Sequence, residues 1–208
     1  MNEHLRPDRL PGTTRAAEGL PRRRWSMAEI EAMVARGIIA EDERFELIGG
    51  EVVPMSPKGA RHEPVKIALN RFFQRAAPDH LEIAPETTLR LDKDTFVEPD
   101  FCVFPRGLDL KALDGGAVLL AVEVADSSLA YDTGRKSRIY AAYGVREAWV
   151  INANTLVTRV FRQVGKRGYK SARSKAYGRR LEPEHAPELA VSLADLGLRP
   201  LAGSPAAA

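Results

Sequence analysis

Asp100, Glu123 and Lys136 are the residues whose types and spacing could do chemistry. Glu123 stands inside AVLLAVEV (117–124), an aliphatic run of the kind that forms a strand covered on both faces of an α/β sheet. An isolated carboxylate there would be expensive, so it must protonate, pair with a cation or bind a metal. Asp100 lies on the strand-like segment before it and Lys136 on the helix-like segment after it. Two acids and a base delivered by consecutive elements of one βαβ-like unit form a hard-oxygen site suited to Mg²⁺ or Mn²⁺ rather than zinc. Such a metal would polarise a phosphoryl oxygen and lower the pKa of water, while the ammonium would position the nucleophile or stabilise the developing charge. That chemistry is phosphodiester hydrolysis. A plainer reading, a strand-end carboxylate paired with an arginine, stays open on these residues alone.

The elements that must position these groups can be read in chain order. Ser-Met-Ala-Glu at 26–29 is a capping-type pattern and predicts a helix from about Met27 to Ala35. Phe45–Ile48, the Gly49-Gly50 turn and Glu51–Met55 predict a hairpin, with Pro54 and Pro57 suggesting an edge. Within it Glu46 points away from Phe45 and Leu47, which taken alone makes it a solvent-facing carboxylate. Val65, Ala68, Leu69, Phe72 and Phe73 recur at helical spacing and predict an amphipathic helix over about 61–77, with His62 in its first turn as a surface or capping residue. Leu81–Leu91 and Phe96–Phe104 are expected to be strands, and Glu98 and Asp100 would then share one strand face. Asp132–Tyr143 is expected to be a helix with Asp132, Lys136 and Tyr140 on one face, stopped by Gly144. Strands over 146–151, 156–162 and about 169–176 follow.

The whole chain, 208 residues and 44% hydrophobic, is enough for one domain with a substantial core. We expect a flexible arm over 1–24, a single domain over 25–198 and a loose tail over 199–208. A formal charge of +3 is no polycation. The distribution is less even, because residues 158–180 hold nine basic residues and no acid. Arg159, Arg162, Lys166 and Arg167 head that stretch and are the candidate nucleic-acid contacts, although the stretch taken alone favours a solvated hairpin with outward charges. The single cysteine, Cys102, excludes an intrachain disulfide and a cysteine-based zinc site. With no apolar run of membrane-spanning length and no signal-like N-terminus, a cytoplasmic protein with no membrane partner is expected.

PDF (99–101), LLAVEVADSS (119–128) and YDTGRKSRIYAAYGVREAWVI (131–151), preceded by FELIGGEVVPMSP (45–57) and His62, resemble the Uma-two endonuclease family of the PD-(D/E)XK superfamily. The likeness spans roughly Arg44 to Ile151. It implies a restriction-endonuclease-like α/β core, a central mixed β-sheet flanked by helices, with a divalent-metal nuclease site. Asp100 matches the acid of the PD element and Glu123 the acid of the (D/E)XK element, so both would be metal ligands. The superfamily lysine, two residues beyond that acid, is replaced here by Ala125, and Lys136 on the following helix occupies the place of the family's displaced lysine. Glu46 would be a further ligand, and His62 matches a family histidine of open role. The implied activity is metal-dependent endonuclease cleavage of nucleic acid, DNA foremost. A catalytically silent nucleic-acid-binding or assembly module with the same fold is the alternative, and an exposed hairpin with an apolar helix face would allow a homodimer.

Overall fold

Ser26 accepts the Glu29 backbone N–H while the Glu29 side chain returns to the Ser26 backbone, and this reciprocal cap starts helix α1 (Met27–Ala35) where the sequence places it. The computed structural model describes residues 21–55 and 59–202. Most of the expected N-terminal arm, and the last part of the expected tail, lie outside these. Within residues 21–24 two arginines have partners on the small sheet: Arg22 pairs with Glu51 at 3.0 Å, and Arg24 meets Asp94 at 2.6 Å and the Gly49 carbonyl at 2.9 Å.

Strands β1 (Phe45–Ile48) and β2 (Glu51–Pro54) form the expected hairpin, with β2 at a sheet edge. Gly49 and Gly50 have φ of 61° and 81°, which the two-residue turn requires. A Cβ on Gly50 would also lie 2.6 Å from that of Arg24, so the strap at 21–26 seats only on glycine. Helix α2 (His62–Ala76) then buries His62, Val65, Leu69 and Phe73 along one stripe.

The next two segments differ from expectation. Leu81–Leu91 is not one strand but β3 (Leu81–Pro85) and β4 (Leu89–Asp92), and Phe96–Phe104 divides into β5 (Thr95–Val97) and β6 (Phe101–Pro105). The first break falls at Glu86, whose φ of 49° is a left-handed conformation that ends an extended chain. Each pair is split between two sheets. The smaller has the order β2-β1-β5-β4 and the larger includes β3 and β6.

Strand β7 (Leu120–Ala125) is buried at every position. Short helix α3 (Leu129–Tyr131), a π turn over Asp132–Lys136 and α4 (Ser137–Ala142) run on as one helical segment, in place of the plain α-helix expected from Asp132. Strands β8 (Glu147–Asn152), β9 (Thr158–Gly165) and β10 (Gly168–Lys175) complete a six-stranded sheet, β10-β9-β8-β7-β6-β3. Only β7 and β8 pair parallel, so the central sheet is mixed.

Two apolar layers cover it. On one face α2 and the segment carrying Leu181, Leu189 and Val191 pack on Phe101, Val122, Val124, Trp149 and Ile151. Phe73 meets Phe101 edge-on with ring centroids 5.4 Å apart. On the other face Ile139 and Tyr140 of α4, with Ile48, Leu89 and Val97 of the small sheet, pack on Cys102, Ala121, Ala125, Ala148 and Val150. Beyond β10 a single bridge joins Leu181 to Val191, and a 3₁₀ turn covers Pro187–Leu189. Among the described residues no helix is long and apolar enough to cross a membrane.

Candidate active site

Period-two alternation along β7 sends Val122 and Val124 to the α2 side and Ala121, Glu123 and Ala125 to the α4 side. Glu123, 5% exposed, therefore faces the helix that follows it. Ala125 stands two residues on, on the same side, and its small side chain packs with the α4 residues; the cation comes from the helix instead. Lys136 Nζ lies 2.9 Å from Glu123 Oε1 and 2.8 Å from Glu46 Oε1, and donates to the Glu98 carbonyl at 3.4 Å. Tyr140 OH donates to the same Glu123 oxygen. The π turn, closed by Ser137 N–H on the Asp132 carbonyl, leads into Lys136 and belongs to a helix type that recurs at functional sites.

Glu46 does not face solvent. It points away from Phe45 and Leu47, as the alternation requires, but the space on that side is the cleft between the sheets, where it is 3% exposed. Its carboxylate accepts Tyr131 OH at 2.9 Å and the Glu98 N–H at 3.1 Å. Asp100 sits just before β6, so it forms no strand-face pair with Glu98, whose carboxylate lies 3.5 Å from Arg44 at the cleft mouth. Asp100 Oδ2 accepts the Val124 N–H at 2.8 Å, which ties the start of β6 to the residue after Glu123. His62 is also buried: its Nε2 lies 3.0 Å from Asp100 Oδ1 and its Nδ1 3.1 Å from Glu63.

These contacts set the charges. Burial alone would raise Asp100, but the His62 hydrogen bond and charge, with the Val124 N–H and Lys136, hold it below the usual carboxylate range. Burial alone would lower His62, and its bond to Asp100 raises it instead. Glu123 is pushed well above the carboxylate range by burial, against the pull of Lys136, and Asp132 is raised by burial too. Burial would depress Lys136, but Glu123, Glu46 and Asp132 keep it well above its ordinary value, so it is a cation.

Glu46, His62, Asp100, Glu123, Asp132 and Lys136 line one cleft of about 360 Å³. Glu46, Asp100, Glu123 and Asp132 are its buried carboxylates, and Asp100 and Glu123 are the two that could hold a divalent cation. Among the described residues no three His, Cys, Asp or Glu side chains form a ready metal cage.

The basic stretch lies elsewhere. Lys166 and Arg167 form the exposed β9–β10 turn, and Arg159 is exposed on β9. None of these lines the cleft. Arg162 is turned inward, 2.9 Å from Glu147, a carboxylate with no exposure that also accepts Trp149 Nε1 at 2.6 Å and the Glu184 N–H at 2.8 Å. This arginine holds the C-terminal segment to β8, which sets it apart from the other three proposed nucleic-acid contacts.

Sequence reasoning passed over Tyr131 altogether and placed Tyr140 only on a helix face. Its reading of His62 as a surface residue had a contrary signal, because His62 precedes Val65, Leu69 and Phe73 at helical spacing and so falls on the buried stripe.

A solved structure from Anabaena variabilis, described as "a putative nuclease belonging to DUF820", matches with a TM-score of 0.58 and 15% identity, covering 78% of this chain and 94% of that one. At that identity the likeness shows a shared nuclease-like fold. No curated protein sequence matches the chain. Residues 27–195, which carry every side chain of the cleft, match the Uma2 family, described as "Putative restriction endonuclease"; the chain belongs to that family.

Proposed function

We propose that the protein is a metal-dependent endonuclease that hydrolyses phosphodiester bonds of nucleic acid, DNA in the first instance. The observation that carries this reading is the meeting of Glu46, Glu123 and Lys136, with Asp100 tied to Val124, in one cleft. Asp100 and Glu123 would hold Mg²⁺ or Mn²⁺. When bound, that cation withdraws charge from the phosphoryl group and acidifies water. Lys136, fixed as a cation by its two carboxylates, offers N–H donors to the negative charge that grows on the phosphate oxygens. Tyr140 and Lys136 orient Glu123, and His62 with the Val124 N–H orients Asp100. Arg159, Lys166 and Arg167, exposed on the far strands, would meet nucleic-acid backbone outside the cleft.

The test is calorimetric titration of Mn²⁺ into wild type, Asp100→Ala and Glu123→Ala, followed by cleavage assays on duplex and single-stranded DNA. Metal binding and cleavage in wild type, both lost in the variants while their folds persist, is the expected result. Cleavage by Glu123→Ala equal to wild type would overturn the assignment. The absence of a lysine at Ala125 favours a second reading, a silent nucleic-acid-binding module in the cytoplasm, which gains if DNA binds without Mg²⁺ or Mn²⁺ ever doing so.

A further inference from the structure

The acid surplus that suits the cleft to a cation makes it hostile to the polyanion it is proposed to cut. Glu46, Glu86, Glu98, Asp100, Glu123 and Asp126 all contribute to its wall. Against them, among the described residues, stand His62, Lys136 and one guanidinium, Arg44. Lys136 is 3% exposed and its charge is already matched by two carboxylates, so it supplies no net positive charge to draw the rest of a strand to the cleft. Arg44 is different. Its side chain is 41% exposed, and it immediately precedes β1, two residues from Glu46 and so on the same side of the chain.

Its partners hold it loosely. Arg44 lies 3.6 Å from Glu86 and 3.5 Å from Glu98, well beyond the roughly 2.8 Å of a charge-assisted hydrogen bond. Glu86 is at the same time engaged far more closely by Lys66, at 2.5 Å. Glu86 also has the left-handed φ of 49° noted above, an unusual backbone for a glutamate and one that places an acid at this mouth. Exchange of two long ion pairs for one bidentate phosphate contact is favourable, because the planar guanidinium matches two phosphate oxygens at once.

Resting on the nuclease reading of the cleft, we propose that Arg44 is a phosphate-binding subsite at the cleft mouth. It moves from Glu86 and Glu98 to a backbone phosphate of the substrate strand next to the bond that is cut, and Glu98 acts as the competing anion that this phosphate displaces.

The experiment measures binding of a short fluorescein-labelled DNA duplex and of its single strand in Ca²⁺, across a salt series, for wild type, Arg44→Gln, Arg44→Lys and Glu98→Gln. Arg44→Gln should weaken binding by about tenfold and lower the log–log salt slope by about 0.9 for duplex or about 0.7 for single strand, one phosphate contact. Arg44→Lys should keep the slope, because the charge remains. Glu98→Gln should tighten binding, and should do so only while Arg44 is present. A purely structural role for Arg44 would change affinity without removing one contact from the slope. Unchanged affinity and slope in Arg44→Gln, or tighter binding by Glu98→Gln in the Arg44→Gln background, would overturn the subsite. The nuclease reading fails separately: wild type that binds the probe yet never cuts it in Mg²⁺ or Mn²⁺ sinks that reading and leaves Arg44 to be judged by binding. Wild type that binds neither probe overturns both.

Discussion

Lys136→Met tests the centre of the site through stability, with no substrate required. The side chains of Lys136, Glu46 and Glu123 are 4%, 4% and 6% exposed, and the substitution leaves two buried carboxylates facing each other with their shared cation gone. Removing one partner of a buried ion pair typically costs about 3–5 kcal/mol, since the charge left behind has neither water nor counterion. With a urea m-value of about 2 kcal/mol/M, the unfolding midpoint near neutral pH should fall by about 2 M. The loss must also depend on pH. Burial already raises Glu123 above the ordinary glutamate value of 4.5, and without Lys136 it rises further. A carboxyl raised in the folded state binds more protons folded than unfolded, so stability declines as pH climbs from 4.5, by about 1.4 kcal/mol per unit for each such proton. Urea titrations near neutral pH and near the carboxylate range should therefore show the gap between variant and wild type closing as pH falls. Adding Glu123→Gln to Lys136→Met removes one of the two stranded charges and should recover part of the loss. A variant within about 1 kcal/mol of wild type, with a gap that does not change with pH, would refute the reasoning.

The His62–Asp100 pair gives stability its own pH window. His62 is raised above 6.5, so its contribution is complete below that value and fades as pH climbs through the raised one; Asp100 is lowered below 3.8, so its contribution is complete above that value and fades in stronger acid. His62→Leu should remove both limbs in denaturant titrations, and a pH profile parallel to wild type would count against the pair. Arg162→Ala should cost about 2–3 kcal/mol, because Glu147 keeps the Trp149 and Glu184 donors but loses its guanidinium. Lys166→Ala and Arg167→Ala, on the exposed turn, should stay within about 0.5 kcal/mol of wild type in the same thermal melts. Equal melting of all three would remove the structural role given to Arg162.

Local signals were strong where one periodicity or one cap decides the outcome. The Ser26 box fixes α1 to the residue, and the stripe through Val65 fixes α2 to within one residue at each end. The continuous aliphatic run announced β7 as a strand buried on both faces, and Asp100, Glu123 and Lys136, singled out by type and spacing, all line one cleft. What the sequence does not carry is environment. Alternation correctly turned Glu46 away from Phe45 and Leu47, yet nothing near it says that the opposite side is walled by a helix from residues 129–142. The split of 81–91 into two sheets hangs on a left-handed glutamate, for which no residue preference gives warning. Arg162 could not be told from Arg159 or Lys166 by type; only the register against Glu147 separates it.

The small sheet ties these points together. Four short strands of three or four residues would be marginal alone. They are held from outside by the 21–26 strap, through Arg24 on Asp94, Trp25 N–H on the Gly50 carbonyl at 2.9 Å, and Met27 N–H on the Lys93 carbonyl at 2.8 Å. Ile30 of α1 also packs there with Phe45, Leu47 and Phe96. From inside they are held by Glu46, which reaches across the cleft to Lys136 and Tyr131. The ion pairs of Lys136 with Glu46 of the small sheet and Glu123 of the large one therefore also tether the two sheets. Loosening either end should act on both, so a break in the strap at Arg24 reaches the lysine through the strand that carries Glu46.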